Sequence, residues 1–82
     1  MARVETVSAD VRDFTGGLAA FEVEARTVRA LIRELDARFP GLGAFVDEKM
    51  ALSIDGEIYQ DAHGVEIGET SEVVLIPRIG GG

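Results

Sequence analysis

The chain has 82 residues, no cysteine, and eight basic against fifteen acidic side chains, for a net charge of −7. Its length allows one domain and leaves no room for a second, and a chain this small buries only about 60% of its unfolded surface. The missing cysteines exclude disulfides, thiol nucleophiles and thiolate metal sites together, and they favour a reducing compartment. The acidic balance argues against a nucleic-acid partner and for docking on a basic protein surface. Met1 to Glu5 lack an apolar signal core, and no apolar run approaches the ~20 residues of a membrane span, so the expectation is a cytoplasmic protein with no membrane partner.

In chain order, Arg3 to Ser8 reads as a weak strand, and Asp10 to Gly17, with Asp13, Gly16 and Gly17, as a turn or loop. From Ala20 to Ala25, Phe21, Val23 and Ala25 alternate with Glu22 and Glu24, the period of a strand with one buried face. The two segments together suggest an N-terminal hairpin. Val28, Leu31, Ile32, Leu35 and Phe39 then form an apolar helical stripe, with Arg29, Arg33, Glu34, Asp36 and Arg38 on the outer face. Thr27 supplies the N-cap oxygen, Ala30 rules out a capping box, and Pro40-Gly41 ends the helix.

Leu42 to Val46 suggests a short helical turn closing one end of the core. Ala51 to Ile54 alternates, Asp55-Gly56 is a type I′ hairpin signal, and Glu57 to Tyr59 returns. Gln60 to Ser71 is polar, with Gly64 and Gly68 as turn residues and Val65 and Ile67 as inward anchors. Glu72 to Ile76 is the last strand. Its unbroken run Val73-Val74-Leu75-Ile76 suits a central strand covered by the helix, with the first strand as a parallel neighbour. These elements make an α+β layer of the β-grasp plan: a mixed sheet of four to five strands with one main helix on one face, over residues 1–76.

Residues 77–82 read as a flexible tail ending in Gly80, Gly81 and Gly82. Glycine has no Cβ, so such an end fits a narrow tunnel and presents its terminal carboxylate to a partner's active site. Extended, Pro77 to Gly82 reach about 20 Å, at about 3.3 Å per residue. On composition alone a frayed end is equally compatible with three glycines.

The tail Leu75-Ile76-Pro77-Arg78-Ile79-Gly80-Gly81-Gly82, the helix opening Thr27-Val28, its close Arg38-Phe39-Pro40-Gly41-Leu42 and the Ile54-Asp55-Gly56-Glu57 hairpin resemble the MoaD/ThiS family of ubiquitin-like sulfur carriers over nearly the whole chain. The resemblance places the functional diglycine on Gly81 and Gly82, with Pro77, Arg78, Ile79 and Gly80 in the partner's tunnel. It implies a protein that is not itself an enzyme and binds no cofactor. An ATP-using activating enzyme adenylates the Gly82 carboxylate, sulfur displaces AMP to leave a thiocarboxylate, and a sulfur-acceptor synthase subunit consumes it. Arg78 stands where many MoaD proteins carry a second proline, and pairing with a carboxylate at the tunnel mouth is its expected use. Thr15-Gly16-Gly17 is more similar to the cysteine-biosynthesis branch than to the molybdopterin branch; molybdopterin, thiamine and cysteine pathways all stay open.

A ubiquitin-like modifier joined to lysines through the same glycine is the alternative, and a β-grasp interaction module with an inert tail a third. Lys49 is the only side-chain amine among the eight basic residues, a thin supply for chains built on itself. A diglycine at Gly80-Gly81 would require removal of Gly82 before activation. No metal site or catalytic group is expected. His63, the only histidine, reads as a solvated loop residue, as do the carboxylates of Asp55 and Glu57 beside their turn. Gly16-Gly17 lacks the Lys-Ser/Thr of a phosphate loop.

Overall fold

The computed structural model describes residues 1–60 and 63–78. Chain order is β1 (Ala2–Thr6), α1 (Ala9–Thr15), β2 (Ala20–Val23), α2 (Val28–Arg38), α3 (Leu42–Lys49), β3 (Met50–Ile54), β4 (Glu57–Tyr59) and β5 (Glu72–Pro77). The strands form one five-stranded sheet in the order β2-β1-β5-β3-β4. As its apolar run suggests, β5 is interior, parallel to β1 with Val4 opposite Val73 and antiparallel to β3 with Leu52 opposite Leu75. This is the expected β-grasp sheet, with three helices rather than one main helix and a turn.

Alternation decides which side chains enter the core. Val73 and Leu75 of β5, Val4 of β1 and Phe21 and Val23 of β2 join Val28, Leu31 and Leu35 of α2 in one buried cluster. Val74 and Ile76 point to the other face and stay half-buried. Within the stripe of α2, Ile32 and Phe39 are only partly buried, because they lie at its edge. Phe39 meets Phe21 edge-on, with ring centroids 5.3 Å apart. Thr27 caps α2 as expected, accepting from the Ala30 N–H at 3.1 Å. Ile67 is buried, and its N–H donates to the Arg26 carbonyl while the Val65 carbonyl accepts from Val28, so the polar segment braces the start of α2.

Two expectations are corrected. Asp10 to Gly17 is a helix and its stop, not a loop: Ser8 accepts from the Val11 N–H, Asp10 lies in the first turn, and Gly16 closes α1 at φ 73°. The β1–β2 pair is therefore antiparallel but joined through α1, with Val11 and Thr15, one turn apart, as its buried contacts. Leu42 to Val46 continues to Lys49, giving α3 eight residues. Its N-terminus starts at Gly41 without a side-chain cap, and the Asp36 carboxylate of α2 serves from outside by accepting from the Ala44 N–H at 3.3 Å. At the β3–β4 turn, Asp55 and Gly56 both take positive φ, 50° and 91°, as a type I′ hairpin requires.

Candidate functional site

The functional residues read from the sequence lie at the chain's end, and the structure places the first two. Pro77 is the last residue of β5, opposite Met50 at the start of β3, where its missing N–H costs the ladder nothing. Arg78 follows outside the strand. Ile79, Gly80, Gly81 and Gly82 lie outside the described residues.

Arg78 is exposed, yet one nitrogen of its guanidinium reaches back to the domain. Its N–H donates to the Lys49 carbonyl at 3.2 Å. Its Nη2 donates to the Gln60 carbonyl at 2.8 Å and faces the carbonyls of Asp47 at 3.3 Å and Met50 at 3.4 Å. The physical cause is the end of α3. The last four carbonyls of a helix lack intrahelical donors and carry the negative end of the macrodipole, so a cation there is favoured. Asp47 and Lys49 supply two of those carbonyls; a third, that of Val46, accepts from the Met50 N–H. One nitrogen of the Arg78 guanidinium thus faces the protein's own backbone, and the first two residues of the tail assigned from Pro77 are attached to the domain.

Beside this root is a cleft of about 240 Å³, with Ile32, Val46, Met50 and Tyr59 in its walls and Asp47, His63 and Arg78 at its polar side. His63 is not simply solvated: its Nε2 pairs with the Asp47 carboxylate, although both side chains remain close to half exposed. Among the described residues no group of three or more histidine, aspartate or glutamate side chains is gathered to hold a metal. No helix of the described residues is long and apolar enough to cross a membrane.

Among the described residues, the face of the sheet away from α2 carries partly exposed apolar side chains. Val74 and Ile76 of β5 sit beside Ser53 and Ala51 of β3, and Ile58 of β4 is 61% exposed. Arg3 and Glu5 of β1 carry this face toward its charged edge and pair with each other at 2.8 Å. The Glu5 carboxylate, through that bond first, raises the Arg3 guanidinium above its already high value. Tyr59 donates to Glu57 at 2.7 Å, and this bond raises the phenol above its ordinary value.

Asp55 also departs from its expected role as a solvated turn residue. Its two oxygens accept from the Glu72 N–H at 2.9 Å and the Ser71 hydroxyl at 2.7 Å, and these bonds, the backbone one first, hold its carboxyl below the usual range. The outer face of α2 likewise reaches across to β2. Glu34 accepts from the Glu24 and Ala25 N–H groups, and Arg38 donates to the Glu22 carbonyl at 2.6 Å while lying over the Phe21 and Phe39 rings.

A five-stranded β-grasp domain whose central strand leads directly into a C-terminal extension is the architecture of a ubiquitin-like protein. The model of the ThiS family matches residues 6–82, and the chain belongs to the ThiS family. No protein of curated function matches it in sequence. Among solved structures it is similar to CysO of Mycobacterium tuberculosis, described as an antigen, with a TM-score of 0.83 at 17% identity over 96% of this chain and 100% of that one. A chain of the Amycolatopsis orientalis BexX/CysO complex superposes with a TM-score of 0.82 at 21% identity, covering all of both chains. SAMP1 from Haloferax volcanii follows at 0.73 and 22% identity, over 99% of this chain and 98% of that one. At these identities the likeness to solved structures is one of fold.

Proposed function

We propose that the chain is a sulfur carrier whose Gly82 carboxylate is the reactive group. The observation that carries this reading is a family match that runs through the glycines to residue 82. A carboxylate is a poor electrophile until one oxygen becomes a good leaving group. In an activating enzyme, a Gly82 oxygen attacks the α-phosphate of ATP, pyrophosphate leaves, and the carboxyl becomes an acyl-adenylate. Hydrosulfide then attacks the carbonyl carbon, AMP departs with the oxygen it shares, and a proton is released to leave the thiocarboxylate. ATP belongs to the partner, and the carrier is a co-substrate rather than a catalyst. A second partner, a synthase subunit, takes the sulfur.

The face around Val74, Ile76 and Ile58 is the surface offered to these partners, since it adjoins the strand that leads into the tail. The BexX/CysO complex among the structural neighbours is in keeping with a chain that docks on a partner protein. A second reading has its own support: the small archaeal modifier protein 1 of Methanosarcina acetivorans shares the fold with a TM-score of 0.77. In that reading the activated Gly82 is passed to a lysine amine.

Intact mass measurement on the chain isolated from its native cells separates the two. The expected result is a fraction heavier by one oxygen-to-sulfur exchange at the C-terminus. Recovery of the chain only as isopeptide conjugates on other proteins would give the modifier reading precedence, and an unmodified terminus that is never adenylated in vitro would sink both.

A further inference from the structure

We propose that Arg78 is the positioning residue of the terminal carboxylate: it clamps the root of the tail to the end of α3 and so fixes where, and how far, the last residues reach into a partner. The inference rests on the activation chemistry proposed above. Its own evidence is the double attachment of one residue, by its N–H to Lys49 and by its Nη2 to Gln60, with Asp47 and Met50 alongside. The acceptors come from the last turn of α3, the first residue of β3 and the residue after β4, so the side chain ties the tail root to three separate segments.

All are backbone carbonyls, so the anchor does not depend on which side chains surround it. They engage one nitrogen of the guanidinium, Nη2, within the domain, while the side chain as a whole stays exposed. Residues 79–82 span about 13 Å when extended, at about 3.3 Å per residue. The adenylated carbon then has to lie within that distance of Arg78 in a docked complex. A tail freed at its root samples many exit directions, and small misplacements of a reacting group are costly in rate.

The test has two arms. In the first, backbone relaxation is measured by NMR on the full-length chain without any partner. Arg78 in the wild type is expected near the rigid order parameter of about 0.85, falling in R78A while the strand residues before it stay rigid. A wild-type value below about 0.6 would overturn the clamp, whatever the protein's function.

In the second arm, ATP–pyrophosphate exchange is followed with the chain's cognate adenylating enzyme as the probe. R78A is expected to lose kcat by about tenfold or more, with KM for the carrier nearly unchanged. R78K should recover most of that loss, because one nitrogen makes all the side-chain contacts and an ammonium keeps three donors at the same carbonyls. A raised KM with unchanged kcat would overturn positioning and make Arg78 a direct partner contact. No exchange with the wild type would overturn the carrier reading and the positioning role with it, while the NMR arm would still judge the clamp.

Discussion

The Asp55 carboxylate accepts from the Ser71 hydroxyl at 2.7 Å, and that hydroxyl in turn accepts from the Gly68 N–H at 2.8 Å, so the β3–β4 turn is tied to the segment that leads into β5. Ser71 is almost fully buried, which makes the relay part of the domain's structure. A carboxyl held below its usual range by hydrogen bonds to the charged form binds its proton more weakly folded than unfolded. Its contribution to stability is therefore complete above the unfolded value, about 4, and is lost as pH falls through the lower folded value. Thermal unfolding of wild type and D55N from pH 7 down to pH 2.5 checks this. The wild type should be the more stable at neutral pH, and the gap should close only in the acid range; a gap independent of pH would remove the carboxylate from the account.

Leu31 is completely buried between α2 and the sheet. Its truncation in L31A removes the branched end of the side chain and leaves a cavity that the two layers can only partly collapse to fill. A loss of about 2–5 kcal/mol is expected, a large part of a small domain's stability. Chemical denaturation reads it, and a midpoint unmoved from the wild type would show that the α2 stripe is not the core.

Gly43 of α3 lies close against α2. A Cβ at this position would run into the Ile32 carbonyl oxygen and stand 2.9 Å from the Asp36 Cβ, so backbone would have to move. Asp36 also caps α3, and a shift there weakens two contacts at once. G43A should cost about 1–3 kcal/mol despite the better helix propensity of alanine, with a lowered denaturation midpoint as the readout. An unchanged or raised midpoint would mean that the helices can separate freely.

Elements with many apolar positions were legible in the sequence, and those held by single polar contacts were not. The α2 stripe commits several side chains to one face, and the unbroken apolar run of β5 marks an interior strand whichever way its residues alternate, so the two could be placed against each other. Helix α1 has only Val11 and Thr15 inside, and its closing glycine looks like a turn until Ser8 is seen to cap the other end. The contacts of Asp55 and Arg78 escape the sequence for a different reason. Each finds partners that are distant in sequence, Ser71 and Glu72 for one and the end of α3 and Gln60 for the other, and no local pattern announces such pairings. The signal of the tail is composition rather than contact, and of its residues the structure describes only Pro77 and Arg78.

The acidic surface sets how fast a partner is met. At a net charge of −7, with apolar residues at the sheet face away from α2 and acids around it, the encounter with a basic docking surface is steered over long range and screened by salt. Stopped-flow association with an adenylating enzyme should slow several-fold between about 50 and 300 mM salt while dissociation changes little. An association rate indifferent to ionic strength would remove the electrostatic part of the docking proposal and leave the apolar face to act alone.

Gly81 tests the chemistry most directly, because its substitution separates the tail's shape from the domain's stability. Valine has two heavy atoms on Cβ and cannot take the conformations open to glycine, so G81V widens and stiffens the tail one residue before the carboxylate. Residue 81 lies beyond β5 and beyond Arg78, so the core and the clamp are both left as they are. Thermal unfolding of G81V should coincide with the wild type. ATP–pyrophosphate exchange should fall to background, since an acyl-adenylate forms only if the carboxylate reaches the α-phosphate in line with the leaving pyrophosphate. Deleting Gly82 should have the same effect by withdrawing the carboxylate about 3.3 Å from its position. Wild-type turnover by the deletion variant would move the activated residue to Gly81 and make Gly82 dispensable, and wild-type turnover by G81V would mean that no narrow tunnel reads the tail.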